Sequence, residues 1–154
     1  MSSAKKLGLA LLALLLLGAC EPRDEFPGLR IGGTPAEVPA DFGFSSEHPE
    51  IFLEARGAVL PRVVTIWCVP SGEKLYVWGD PDSGWTRRVA KRPDVRVRIG
   101  DGTYELTAAE VTDADEREWV VAAYAAKYGA DLEAIFERPA TVDDFELVYR
   151  LTRR

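Results

Sequence analysis

A short cationic stretch is the part of this sequence whose residue types could bind an anion. Trp85 follows a loop of Asp82-Ser83-Gly84, and Arg87, Arg88 and Lys91 then fall near one face of a predicted helix. Arginine and lysine side chains bind phosphate, and a helix N-terminus adds free N–H groups and a partial positive charge. An indole beside such a group could stack on a flat ring. The stretch predicts a phosphate-binding turn or, as spacing alone favours, a solvated helix face whose cations balance nearby acids.

Other familiar catalytic sets are missing from the sequence. The chain has one histidine, His48, and no cluster of cysteines, so no zinc or other metal site is predicted. It contains neither the Gly-x-Ser-x-Gly string of a nucleophile elbow nor a glycine-rich loop of the kind that holds a nucleotide phosphate. These observations disfavour hydrolase and nucleoside-triphosphate chemistry.

The first residues have the pattern of an export signal. Lys5 and Lys6 precede an uncharged apolar run from Leu7 to Ala19, which is shorter than the ~20 residues that a membrane-spanning helix needs. The run ends in Leu17-Gly18-Ala19-Cys20, which resembles a bacterial lipobox. This resemblance implies cleavage before Cys20 and attachment of diacylglycerol to its thiol. The alternative is an ordinary secretory signal with an incidental cysteine.

The lipobox reading predicts three parts: a lipoprotein signal peptide at 1–19, a lipid-anchored linker at 20–45 and a folded domain at 46–154. Proline and glycine punctuate 20–45 without apolar periodicity, which is typical of an extended tether. The predicted location is the cell envelope, with the protein anchored to a membrane and facing the periplasm or the exterior. If Cys20 carries lipid, Cys68 is the remaining thiol and is predicted to be a buried strand residue.

The charge of the chain limits its partners. Formal net charge is −6, and removal of Lys5 and Lys6 with the signal, which takes no acid, would lower it to −8. An acidic chain is a poor candidate for nucleic-acid binding, which depends on a basic surface. The same argument opposes broad adhesion to anionic lipid head groups, so membrane attachment is predicted to rest on the acyl chains.

Alternating and turn-forming residues predict an α+β domain. The predicted helices are 46–56, Trp85–Lys91, a long helix that starts at Thr112 or Asp113 and closes at Gly129, and 131–137; the predicted strands are 62–69, 74–79, 94–99, 103–109 and 145–151. Short antiparallel strands that must hide their edges favour a small split β-barrel with helices packed outside.

One part of the domain resembles a known family. Residues 84–99 are similar to the segment after the second long strand of the deazaflavin-dependent nitroreductases, which carries a Trp, a short helix, an Ala-x-x-Pro stop and a strand. The similarity continues through 104–108 and 111–117, and Tyr124–Gly129 is closer to a small uncharacterised branch with a Tyr-x-x-Lys-Tyr-Gly string. The resemblance covers 60–152. It implies a flavin-binding split barrel, a cofactor phosphate near Trp85, and aromatic residues of 124–128 on the substrate side.

Residues 55–70 depart from that family. They lack the Gly-Arg-Lys-Ser-Gly turn with which the nitroreductases grip phosphate. Two functions therefore stay open, a non-enzymatic binding or structural module that has lost this turn and a flavin- or deazaflavin-dependent oxidoreductase that passes hydride to a small acceptor.

The oxidoreductase reading gives each candidate residue a role. Arg87, Arg88 and Lys91 would grip phosphate, Trp85 or Trp78 would flank the ring, and Tyr128 would orient or protonate the substrate. The predicted partners are a membrane through the lipid on Cys20, a small-molecule ligand and a second copy of the chain, with no nucleic acid.

Overall fold

A computed structural model describes residues 30–154, so Cys20 and the predicted signal lie outside the described residues. The strands are β1 (Thr34–Pro35), β2 (Ile51–Ala55), β3 (Arg62–Ile66), β4 (Cys68–Ser71), β5 (Lys74–Gly79), β6 (Asp94–Ile99), β7 (Gly102–Glu110) and β8 (Leu147–Arg153). The helices are α1 (Thr86–Lys91) and α2 (Ala114–Phe136), with 3-10 turns at Gly43–Glu47 and Val142–Asp144. Within 30–154, neither helix combines the length and the apolar character needed to cross a bilayer.

The strands form one curled antiparallel sheet, in the order β3-β2-β6-β7-β8-β5-β4, and the short β1 adds to β7 in parallel. Its two edge strands, β3 and β4, are consecutive halves of one segment that is interrupted at Trp67. Because one segment supplies both edges, the sheet curls back on itself and leaves little free edge. The α+β split barrel predicted from the sequence is confirmed.

Two hydrophobic clusters hold this fold together. Alternate residues of the strands, such as Leu53, Val97 and Leu151, fill the inside of the sheet. The second cluster lies between the sheet and α2 and includes Tyr124 and Val148. All members of both clusters fall between residues 38 and 151, so a chain that begins at Glu21 retains them.

The long helix α2 begins and bends where the sequence indicates. Asp113 is its N-cap, and its carboxylate accepts a hydrogen bond from the Glu116 N–H at 2.9 Å. The backbone departs from helical angles at Tyr128, with φ −124° and ψ 21°, and the helix then continues to Phe136. The predicted end at Gly129 is therefore a kink, and the predicted second helix at 131–137 is the continuation of α2.

The predicted helix at 46–56 is wrong, because residues 51–55 form strand β2. This strand lies between β3 and β6, and both of its faces are largely covered. Even Glu54 is only 3% exposed, because the Arg96 guanidinium pairs with it at 2.7 Å. Coverage on both faces removes the polar–apolar alternation that identifies a strand in a sequence.

The described part of the predicted linker is packed against the sheet. Ile31 and Phe42 are 1% and 0% exposed, and Thr34–Pro35 pairs with Gly102 and Thr103. The linker prediction for 30–45 is therefore corrected. Buried apolar side chains at these two positions offset the ordering entropy of a segment rich in proline and glycine.

Candidate functional site

The cations of α1 bond to backbone carbonyls. The Arg88 Nη1 donates to the Leu60 oxygen at 2.8 Å, and the Arg92 Nη1 donates to the Gly57 oxygen at 2.8 Å. The Arg87 guanidinium bonds to the carbonyl of Asp82 in the preceding loop. Lys91 is exposed on the same helix. These contacts hold two loops and give Arg87 and Arg88 a structural role, while their binding of phosphate stays a prediction.

Trp85 is a core residue. Its side chain is 7% exposed, and its ring lies 6.0 Å from the ring of Tyr149. It packs so closely on Gly79 that a Cβ there would come within 2.3 Å of the Trp85 Cζ2. The Thr86 hydroxyl fixes the loop that precedes Trp85 by donating to the Asp80 carbonyl at 2.8 Å. The predicted role of Trp85 beside a cofactor ring is therefore corrected.

Tyr128 fastens the kink of α2 to the strand bend. Its hydroxyl accepts from the Cys68 N–H at 3.2 Å and lies 2.9 Å from the Pro49 carbonyl oxygen, to which it can donate. Its ring stacks on Trp67 with centroids 4.6 Å apart and planes 6° from parallel. Burial raises the pKa of Tyr128 well above its usual value. The hydroxyl therefore has a structural role at the kink, and its predicted role in orienting or protonating a substrate stays a prediction.

Lys127 and Cys68 belong to the same junction. The Lys127 Nζ donates to the carbonyl oxygens of Ser45 and Cys68, both at 3.0 Å, and burial lowers the pKa of Lys127. The Cys68 thiol is buried, and desolvation raises its pKa while the charge of Lys127 opposes that shift. A buried thiol of raised pKa is unreactive. This confirms the prediction that Cys68 is a buried strand residue.

A groove on the outer face of the sheet is the candidate site. It consists of two adjoining depressions of about 400 and 260 Å³, which share Glu50 and Thr65 in their walls. Phe52 stands opposite Thr65 on β3 and opposite Arg98 on β6, so these three side chains cross the sheet side by side. Pockets for small ligands typically have volumes of roughly 300–1,000 Å³. The groove is within that range.

The polar end of the groove contains His48, Arg98 and Asp101. The Arg98 guanidinium is fixed by the carbonyl oxygens of Gly100 at 3.0 Å and Ile31 at 3.3 Å. It also lies 5.7 Å from the ring centre of Phe52, a cation–π distance. These contacts hold the Arg98 guanidinium in place in the wall of the groove.

The apolar end of the groove contains Trp67, Trp78 and Ile135. Trp67 stacks on Tyr128 as described, and Trp78 lies 4.6 Å from the ring of Phe145. Because Cys68 pairs with Val77, the next residues outward on the two strands are Trp67 and Trp78. The two indoles therefore make an aromatic wall at the strand bend.

Between the two ends, Thr65 has an unsatisfied polar group. Its hydroxyl oxygen is buried and has no hydrogen-bond partner among the described residues, where the Ser45 hydroxyl is the other side-chain oxygen in this state. Buried hydroxyls are normally hydrogen-bonded, and an unpartnered one calls for an explanation. Thr65 also lines both depressions, so a rotation of its side chain would bring the hydroxyl to a ligand polar atom in the groove.

Of the predicted site residues, Trp78 is the one that lies in the groove. Thr65, His48 and Arg98 were not predicted as site residues. Trp67 and Trp78 each lie one residue beyond the Cys68–Val77 pair of the hairpin, and this placement was the signal that could have found the aromatic wall. Among residues 30–154, no group of His, Cys, Asp or Glu side chains is placed to hold a metal ion.

Residues 46–144 match the model of a family described as "Uncharacterized protein conserved in bacteria (DUF2255)". The chain belongs to this family. No curated protein sequence matches the chain.

Several solved structures share the fold of this DUF2255 protein. An F420-H2 dependent reductase (FDR-A) is 19% identical, with a TM-score of 0.55 over 78% of this chain and 99% of that one. The heme storage protein HutZ from Vibrio cholerae is 18% identical, with a TM-score of 0.56 over 72% of this chain and 85% of that one. A 5-nitroimidazole antibiotic resistance protein from Bacteroides thetaiotaomicron is 12% identical, with a TM-score of 0.56 over 69% and 73%. At these identities the similarity concerns the fold.

Proposed function

We propose that this DUF2255 protein is a small-molecule-binding split barrel of the cell envelope, and that its ligand is a flat aromatic molecule with a polar substituent. The unpartnered Thr65 hydroxyl carries this proposal. It lies between the indoles of Trp67 and Trp78 and the cation of Arg98. An aromatic wall can stack on a ring, while a buried hydroxyl and a fixed guanidinium can bind its polar part.

The structural relatives suggest which molecules to try first. Their names refer to F420-H2 and to heme, both of which combine a flat conjugated ring system with anionic groups. Fold similarity alone does not transfer a ligand. Arg98 could bind an anionic group of such a ligand, next to the carboxylates of Glu50 and Asp101, and flavins, deazaflavins and heme are therefore the probes.

A binding module fits the described residues better than an enzyme does. The predicted phosphate-binding cations hold loop carbonyls, and the predicted proton donor Tyr128 is buried and bonded to the backbone. The missing Gly-Arg-Lys-Ser-Gly turn supports the same choice. If a bound flavin or deazaflavin does react, it would supply the hydride chemistry, and the groove would supply position.

A ligand titration tests the proposal. The chain from Glu21 onward is titrated with FMN, F420 and hemin, and binding is followed by tryptophan fluorescence and by ligand absorbance. Thr65→Val removes the hydroxyl at nearly constant volume and is expected to weaken binding about two- to tenfold, the range of one hydrogen bond. Trp78→Ala is expected to weaken it at least as much.

The matched control is Trp119→Ala, because Trp119 is a partly exposed indole on α2 that lies outside the groove walls. The proposal fails if none of the three probes binds, or if Trp119→Ala weakens binding as much as Trp78→Ala. Reduction of a nitro or quinone acceptor by the loaded protein, and not by free cofactor, would establish the oxidoreductase alternative.

The envelope location rests on the lipobox at Cys20. Cys20→Ala is expected to abolish incorporation of radiolabelled palmitate and to release the protein from the membrane fraction. Label that persists in the variant would contradict lipidation, whatever the fractionation shows.

A homodimer is a further part of the proposal. Sedimentation of the chain from Glu21 onward at two concentrations would decide it.

A further inference from the structure

The loop between β2 and β3 exposes apolar side chains at its tip. Val59 is 90% exposed and Leu60 is 56% exposed, so Val59 is the most exposed large hydrophobic residue of the described chain. Single exposed apolar residues are common on protein surfaces, and the two adjacent residues here form a small apolar patch at the loop tip.

This loop is held firmly in place. The Arg88 and Arg92 guanidiniums bond to its carbonyl oxygens at Leu60 and Gly57. The turn is so tight that a Cβ on Gly57 would lie 2.1 Å from the Leu60 oxygen. The apolar tip is therefore presented by a braced loop.

Cations surround the tip. Arg56, Arg62 and Lys91 are exposed next to the loop or on α1, and Arg88 and Arg92 lie against its backbone. This local set of positive charges contrasts with the net charge of −6 for the whole chain.

The acids of this region are partly neutralised. Glu54 pairs with Arg96 and Glu105 pairs with Arg154, each at 2.7 Å. Asp80 and Asp82 remain in the loop beside Arg87. The surface around Val59 is therefore cationic, whereas the prediction against adhesion to anionic lipid rested on the total charge of the chain.

We infer that residues 56–62 and the cations of α1 dock on a membrane surface that contains anionic phospholipid. Val59 and Leu60 insert their side chains at the headgroup boundary. The exposed Arg56, Arg62 and Lys91 face the lipid phosphates, while Arg88 and Arg92 keep their bonds to the loop carbonyls. Basic residues beside apolar ones are the combination that binds anionic bilayers, with both terms contributing. The electrostatic part weakens as salt increases.

The position of the described N-terminus permits this orientation. Ile31 lies beside Arg98 and Gly100 at one end of β6, and the loop lies at the other end, beside Asp94. Six strand residues span about 20 Å, while ten extended residues span up to about 33–36 Å. The segment between Cys20 and Arg30 is long enough to bring the loop to the membrane, if Cys20 is the anchor.

Vesicle flotation of the chain from Glu21 onward tests the inference without the lipid anchor. The chain is expected to float with vesicles of phosphatidylglycerol and phosphatidylcholine and to stay behind with phosphatidylcholine alone. Val59→Ser combined with Leu60→Ser is expected to reduce flotation at least tenfold, and Lys91→Glu severalfold.

The controls are matched in exposure and charge. Trp119→Ser changes an apolar residue that is 41% exposed on α2 and lies outside the groove walls. Lys74→Glu reverses a cation at the opposite end of the strands. Both variants are expected to float as the unchanged chain does, and circular dichroism verifies that every variant is folded.

Three results would overturn the inference: no flotation with the anionic vesicles, equal flotation of the Val59/Leu60 variant, or competition by inorganic phosphate at constant ionic strength. The third result would identify a site for a soluble anion and not a lipid surface.

Discussion

The α1 region and the groove both collect residues suited to binding, but their polar groups are satisfied differently. Around α1, the guanidiniums of Arg88 and Arg92 bond to backbone carbonyls, and the indole of Trp85 is buried. In the groove, the Thr65 hydroxyl has no partner among the described residues, and Trp78 lines an open wall. The α1 region has more charged side chains, and the groove contains a hydroxyl that lacks a hydrogen-bond partner.

This difference shows why charge density is a weak guide to a binding site. Arg88 and Arg92 each donate one N–H to a loop carbonyl, so a structural role accounts for their position without a ligand. A buried hydroxyl without a partner already costs free energy, and a ligand that supplies the missing bond recovers it. The groove is therefore the better candidate site, although the sequence draws attention to α1.

Trp85 gives the largest expected effect. Trp85→Ala removes a buried indole from inside the sheet and is expected to lower the free energy of unfolding by about 3–5 kcal/mol in urea denaturation. Trp119→Ala, the exposed counterpart, is expected to change it by less than about 1 kcal/mol. If Trp85→Ala left the free energy of unfolding unchanged and weakened ligand binding, the α1 region would be the binding site and the groove would not.

Tyr128 gives an intermediate effect. Tyr128→Phe keeps the stack on Trp67 but removes the hydroxyl that bonds to Cys68 and Pro49. Because buried backbone groups then lose a partner, the free energy of unfolding is expected to fall by about 1–3 kcal/mol. A catalytic Tyr128 would instead lower turnover and leave stability nearly intact.

The same variant has a pH signature. Burial raises the pKa of Tyr128 in the folded state above that of an unfolded tyrosine, which is about 10. The folded state therefore binds this proton more tightly, so the stability contribution is complete below pH 10 and declines as pH rises further. Tyr128→Phe is expected to make the alkaline decline less steep. An unchanged slope would mean that other groups cause it.

The sequence predicted the sheet best where one face of a strand is solvated. β6 alternates between buried Val95, Val97 and Ile99 and half-buried arginines, and its bounds agree with the prediction. β2 was mistaken for a helix because the core buries one of its faces and the Glu54–Arg96 ion pair covers part of the other. Burial on both faces depends on neighbours that are distant in the sequence, so no local pattern identifies it.

The candidate site could not be predicted for a similar reason. The groove draws its walls from β2, β3, β5, β6 and the end of α2, and Thr65 is unpartnered only because of what those elements do not supply. The carbonyl partners of Arg88 and Arg92 lie 28 and 35 residues away in the chain. A local cluster of cations gives no sign of such distant acceptors.

Arg88 gives the smallest expected effect and the sharpest distinction between the regions. Arg88→Ala removes the bond to the Leu60 carbonyl, so the free energy of unfolding is expected to fall by about 0.5–1.5 kcal/mol. Trypsin is expected to cut faster at Arg56 and Arg62 because the loop between them loses a brace. Binding of a groove ligand is expected to stay unchanged, since Arg88 is not among the residues that line the groove. Arg87→Ala is measured alongside. If either variant lowered the affinity for the ligand tenfold, the ligand phosphate would bind at α1 and not in the groove.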